Sequence, residues 1–228
     1  MRIRALQTVR DGWSKMSHRT RQCSDSCRCQ YSYEALRIGA VATRGADVSS
    51  YGCKSRPWLP HMCLARHIGI HHGLSTTAAA FLRDVGLPAS VAPFLDFRPP
   101  KSGPLPTVDQ LWRLKDGKFG NFYVIGSNGS GDSIAIALSG SVVYLNHDDG
   151  FRPCYINKDV LALSETLLRF REMIQEAAKR NGSTFVYGQV PREAVDTMRE
   201  HLRSYDPTAL DEGAMWADEL DEIDSERT

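Results

Sequence analysis

Hydrophobic positions are spread unevenly along this chain, and the densest run lies between Phe122 and His147. Phe122 to Ile125 is rich in aromatic and β-branched residues. Ile134, Ile136 and Leu138 recur with period two, with small residues between them, and Val142 to Leu145 is apolar on both faces. Short runs of this kind, bounded by Gly, Ser and Asn, are strand signals. The connections are the glycine-rich Gly126 to Asp132 and the tight Ser139-Gly140. Neither is long enough for the crossover of a dozen or more residues that parallel neighbours require, so the three strands are expected to form an antiparallel meander. Strands this apolar need cover on their faces.

The flanking pattern supplies that cover. Ser75 or Thr76 can cap a helix to about Asp84, with Ala78, Phe81, Leu82 and Val85 on its apolar face, Gly86 closing it and Pro88 preventing its resumption. Val91 to Phe97 reads as extended, the stretch to Pro106 as loop, Gln110 to Leu114 as an edge strand, and Asp116-Gly117 as a turn into the meander. Beyond the polar turn His147-Asp148-Asp149-Gly150, Phe151 to Ile156 reads as one more strand. Asn157 can then cap the longest helix, about Asp159 to Arg180. Leu163, Leu167, Phe170, Ile174 and Ala177 recur there at helical spacing as a single stripe, placed to roof one face of the sheet. Pro191 opens a helix to about Ser204 that buries Val195, Met198 and Leu202. After the Asp206-Pro207 turn, a last short helix carries Leu210, Met215, Trp216 and Leu220. The expected fold class is α+β, with a central, mainly antiparallel sheet and flanking helices.

Composition divides the chain in two. Residues 1 to 73 hold 12 Lys and Arg against 4 Asp and Glu, whereas the remainder holds 16 against 23, so the overall net charge of +1 averages two oppositely charged parts. Residues 1–72 are poor in Leu, Ile, Val and Phe, rich in Arg, Ser, Cys and His, and without sustained helical periodicity. Three readings stand for this segment. It is a disordered basic arm for nucleic acid or an acidic partner, or a zinc module using Cys23, Cys27, Cys29, Cys53, Cys63, His67 and His71, or an extension upstream of the true start, with Met62 as an internal start. The zinc reading has only one Cys spacing that fits the usual ligand pair. Residues 73–228 are expected to form the folded domain. No apolar run approaches the ~20 residues of a membrane span and no signal-peptide pattern opens the chain, so a cytoplasmic protein with reduced thiols is expected.

Candidate chemistry is sparse. The loop Gly126 to Asp132 leads into a strand and lacks a lysine, so it reads as a hairpin loop and not as a phosphate cradle. His147-Asp148-Asp149 could supply a metal site or a general base, with Asp132 approaching across the meander, but adjacent polar residues at a strand end ordinarily form a solvated turn. Cys154, in a strand, reads as a small core residue. Trp112 and Trp216 read as packing anchors, or as interface aromatics. No catalytic residue, metal site or cofactor is expected.

An ordered set of motifs carries a resemblance. Leu82-x2-Val85-Gly86-Leu87-Pro88, Tyr123-Val124-Ile125-Gly126-Ser127-x-Gly129-Ser130-Gly131-Asp132-x-Ile134-Ala135, Val142-Val143-Tyr144-Leu145-Asn146-His147-Asp148 and Ile156-Asn157 before a leucine-rich helix occur in that order. Asp206-Pro207-x2-Leu210 and Trp216-x2-Glu219-Leu220 close the set. From about residue 74 to 223 the chain resembles the SUKH superfamily of bacterial immunity proteins, most closely its fourth subfamily. The resemblance implies an α+β domain that binds and neutralises a cognate polymorphic toxin, often a nuclease or nucleic-acid deaminase. From Asp206 onward there are nine acidic residues and one basic, a face that suits the basic cleft of such a toxin or simply keeps the protein soluble. The expected partner-binding residues are Asp148, Asp149, Asp211, Glu212, Asp218, Glu219, Asp221 and Glu222. The alternative function is nucleic-acid binding or regulation through the basic arm.

Overall fold

The computed structural model describes residues 64–65, 73–98, 103–181 and 187–227. The Cys and His residues of the zinc reading and nearly all of the basic arm lie outside them. Strand β1 (Leu64–Ala65) pairs antiparallel with β2 (Leu87–Pro88). The main sheet has six strands: β3 (Ser90–Val91), β4 (Leu95–Asp96), β5 (Phe122–Ser127), β6 (Ser133–Ala137), β7 (Val142–Asn146) and β8 (Arg152–Asn157). They stand in chain order and every pairing is antiparallel, so the expected meander forms and extends to both sides. Pro153, which has no N–H to give, lies in β8 at the sheet edge, where a proline costs no ladder bond. The stretch expected as extended over Val91–Phe97 is instead two short strands joined by a turn with a cis Ala92–Pro93 bond.

Alternation along the strands sorts their side chains into two cores. Ile134 and Ile136 of β6, Val142 of β7 and Ile156 of β8 enter the larger core, while Ala135, Val143 and Leu145, one residue out of phase, enter the smaller one. This is why β7 reads as apolar at successive positions from Val142 to Leu145. Helix α1 (Thr76–Asp84) is capped by Ser75 and followed by Gly86 at φ +85°. Helix α2 (Val108–Trp112) covers part of the smaller core through Val108. Helix α3 (Val160–Asn181) buries all five residues of the expected stripe in the larger core, alongside Val195, Met198 and Leu202 of helix α4 (Arg192–Tyr205). Helix α5 (Met215–Ser225) adds Trp216, Leu220 and Ile223.

Several local expectations are corrected. Gln110–Leu114 is not a strand. Thr107 Oγ1 accepts the Gln110 N–H while Gln110 Oε1 accepts the Thr107 N–H, a reciprocal box that nucleates α2. Leu138 lies beyond the end of β6 and is 60% exposed. Leu210 belongs to a separate 3-10 turn, Pro207–Leu210, and not to α5. Pro191 caps α4 and does not occupy its first turn. Asn157 does not cap α3; Asp159 does so, accepting the Ala162 N–H at 2.7 Å.

Asn157 is instead part of a buried polar node. Its amide nitrogen donates to Asp206 Oδ2 at 3.0 Å and to Thr166 Oγ1 at 3.2 Å, and its oxygen accepts from Trp216 Nε1 at 3.0 Å. The Asp206 carboxylate also accepts from Tyr155 Oη and the Lys158 N–H, both at 2.8 Å. Asp206, Asn157 and Trp216 are at most 1% exposed. One carboxylate therefore ties the end of β8 to the start of the C-terminal segment. Buried polar groups are tolerated only when satisfied in this way, and the requirement fixes register.

Candidate partner-binding surface

The glycine-rich loop is built as a hairpin. Asn128 Oδ1 accepts the N–H groups of Ser130 and Asp132, and Gly131 adopts φ +89°, which an L side chain rarely does. The Asn128 amide and the loop then aim Asp132 at the end of β7. Asp132 Oδ1 accepts the His147 N–H at 3.0 Å and lies 2.7 Å from His147 Nδ1. Burial by itself would raise the Asp132 pKa, but the His147 N–H, the Asn128 amide and the His147 ring outweigh it and hold the carboxyl below its ordinary value. With that carboxylate ionised, the ring nitrogen is the donor. Trp112 stacks on His147 with centroids 5.2 Å apart and donates from Nε1 to Ser133 Oγ at 2.8 Å.

Asp132 thus does approach His147, but the pair latches a loop to a strand end. Asp132 is 5% exposed, with its oxygens committed to Asn128 and His147. The second His147 nitrogen lies 3.4 Å from Asp148, and among the described residues no serine, cysteine or threonine is bonded to the ring. Among the described residues, no group of three or more His, Cys, Asp or Glu is placed to hold a metal ion. Cys154 is a free, buried thiol in β8. Trp216 is a packing anchor, whereas Trp112 is 37% exposed.

The eight acidic positions fall into two groups. Asp148 and Asp149 occupy the short turn after β7, where Asp149 accepts from Arg152 Nε at 2.6 Å and the Asp148 side chain is 88% exposed. Asp211 and Glu212 precede α5, and Asp218, Glu219, Asp221 and Glu222 lie on it. Asp221 pairs with Arg199 Nη2 at 2.7 Å, and Asp224, also bonded to Arg199, secures α5 to α4. Glu219 is half-buried, and burial, reinforced by Glu222 and Glu226, pushes its pKa up to about 8. That leaves Asp211, Glu212, Asp218 and Glu222 exposed, with no ion pair to their carboxylates among the described residues. Asp218 and Glu222 stand four apart on one helix face, where like charges cost a few tenths of a kcal/mol. No hydrogen bond or ion pair among the described residues joins the Asp148–Asp149 turn to this helix.

Beyond Trp112, which the sequence offers as an interface aromatic, the pattern of exposed apolar groups is not legible in the sequence. Large exposed hydrophobics among the described residues are Phe94, Leu111, Trp112 and Leu138. Leu111 and Trp112 share α2, whose T-x-x-Q capping signal was present in the sequence.

Among the described residues no helix is long and apolar enough to cross a membrane. Comparison with curated proteins and with solved structures finds no match. A family model described as SUKH-4 immunity protein matches residues 71–222, spanning the whole main sheet, the Asp206 node and most of α5. The chain belongs to the SUKH-4 immunity protein family.

Proposed function

We propose that this chain is a cytoplasmic immunity protein that binds a cognate polymorphic toxin directed at nucleic acid and neutralises it by occlusion, without catalysing a reaction. Family membership carries the reading. The acidic C-terminal segment supports the choice of toxin, because a nucleic-acid enzyme needs a basic cleft and an acidic partner is steered into it. The contact set centres on Asp211, Glu212, Asp218 and Glu222, which are exposed and have no ion pair among the described residues. Asp148, Asp149, Glu219 and Asp221 stand at its margins, three of them already committed within the fold or half-buried. Residues 73–228 form the immunity unit, and residues 1–61 are not needed for neutralisation.

Co-expression with the toxin encoded beside this gene tests the proposal. The expected result is rescue of growth, a complex that co-purifies, and the same rescue by residues 62–228. Joint replacement of Asp218→Asn and Glu222→Gln should weaken the complex, mainly by slowing association, with the difference vanishing at high salt. Toxicity that persists, with no complex, would refute the proposal.

A further inference from the structure

The seam between α3 and α4 holds a histidine that binding a toxin does not call on. His201 is half-buried on α4 and faces Glu165 and Arg169 of α3. Its ring stacks on Tyr205, one turn further along α4, with centroids 5.6 Å apart and planes 20° apart. Its Nε2 is enclosed by protein and has no hydrogen-bond partner among the described residues.

Such a place suits the neutral ring alone. A neutral imidazole can carry its proton on Nδ1 and leave Nε2 bare, so no donor is stranded. Protonation puts an N–H on Nε2, where no acceptor meets it and water does not reach. The neighbouring charges do not compensate. Arg169 opposes a second cation in the seam, and Glu165, which would favour one, already accepts from Arg169 Nε at 3.0 Å. The Tyr205 ring already has the Lys158 ammonium 4.2 Å from its centroid, and Lys158 also donates to the Tyr205 carbonyl. No other charged group among the described residues acts on the His201 ring. Burial, with Arg169 next, holds the imidazole below its ordinary value of 6.5.

The seam bears on the rest of the fold. α4 buries Val195, Met198 and Leu202 beside the α3 stripe, and its Arg199 bonds Asp221 and Asp224 of α5. We infer that His201 is an acid-sensitive clasp: neutral, its ring closes the α3–α4 seam, and protonated, it must leave that seam, loosening α4 and the acidic α5 that α4 secures. The unfolded chain takes up the proton near pH 6.5 and the native state only at lower pH. The native state therefore loses stability as pH falls from about 6.5 to the native value, and no further below it. The clasp does not depend on the immunity reading; only its consequence, a weaker hold on the toxin in mild acid, rests on that reading.

The full chain tests the clasp without any toxin. NMR titration of the His201 ring in the wild type should give a midpoint below 6.5. Glu219 has the opposite pH dependence over this range, so unfolding must be read as a comparison of two proteins. The second protein is His201→Phe, which keeps a ring against Tyr205 and has no proton to bind. Between about pH 7.5 and about pH 5, the urea unfolding constant of the wild type should rise at least about threefold relative to that of the variant. A ratio of the two constants that is the same at both pH values overturns the inference. So does a ring midpoint at or above 6.5, a result that stands even if His201→Phe does not fold.

Discussion

Replacing Asp206 by alanine should be among the most damaging single substitutions in the molecule, although the residue sits in a turn. The carboxylate is 1% exposed and accepts from Tyr155 Oη, Asn157 Nδ2 and the Lys158 N–H. Leaving a buried donor without its partner costs about 1–3 kcal/mol. Asn157 keeps its bond to Thr166, and Tyr155 and Lys158 are only partly buried, which places the total near the lower part of the range, about 3–4 kcal/mol. For a domain of this size that corresponds to a fall of about 10 °C in Tm. Asp206→Asn keeps the volume and one acceptor oxygen and should lose roughly half as much. Urea unfolding followed by far-UV circular dichroism measures both. A loss below about 1 kcal/mol for Asp206→Ala, or no difference between the two variants, would show that the node does not hold β8 to the C-terminal segment.

Glu219 binds a proton in the native state up to about pH 8 but releases it near 4.5 when unfolded, so its contribution falls as pH rises between those values. Glu219→Gln should remove that slope, stabilising the protein by on the order of 2 kcal/mol at pH 9 after allowance for solvent screening, and unfolding curves at pH 5 and pH 9 check the sign. Asp132 has the opposite dependence: its lowered pKa adds stability above its ordinary value of 3.8 that disappears as pH falls through the native value. Asp132→Asn should therefore destabilise by about 1–2 kcal/mol at pH 7, with the gap from wild type closing below pH 3.8, as acid titration of unfolding would report. Gly126→Ala drives a methyl group into the Asp96 carbonyl and the Phe97 ring, forcing β4 and β5 apart, and should cost about 1–3 kcal/mol by denaturant titration.

Local pattern and tertiary contact each decided a separate part of this protein. The alternation in β6, the doubly apolar β7 and the Leu163–Ala177 stripe determined the meander and its roof, because period-two and helical repeats lead to burial without reference to distant residues. The motif order determined the family. Short elements resisted that reasoning. α2 has five residues, too few for periodicity to declare itself, and only its capping box distinguished it from a strand. The roles of individual residues depended on partners far along the chain. Asn157, Asp206 and Trp216 meet across 49 and 59 positions, and their burial turns parts of the family signature into a structural joint. Likewise, composition marks every acidic residue from Asp206 onward alike. Only packing separates Asp206, buried in a hydrogen-bonded node, and Asp221, spent on Arg199, from Asp218 and Glu222, which are exposed and have no ion pair among the described residues. A side chain's charge is written in the sequence, but whether water, a neighbour or a partner answers that charge is settled by the surfaces that folding brings against it.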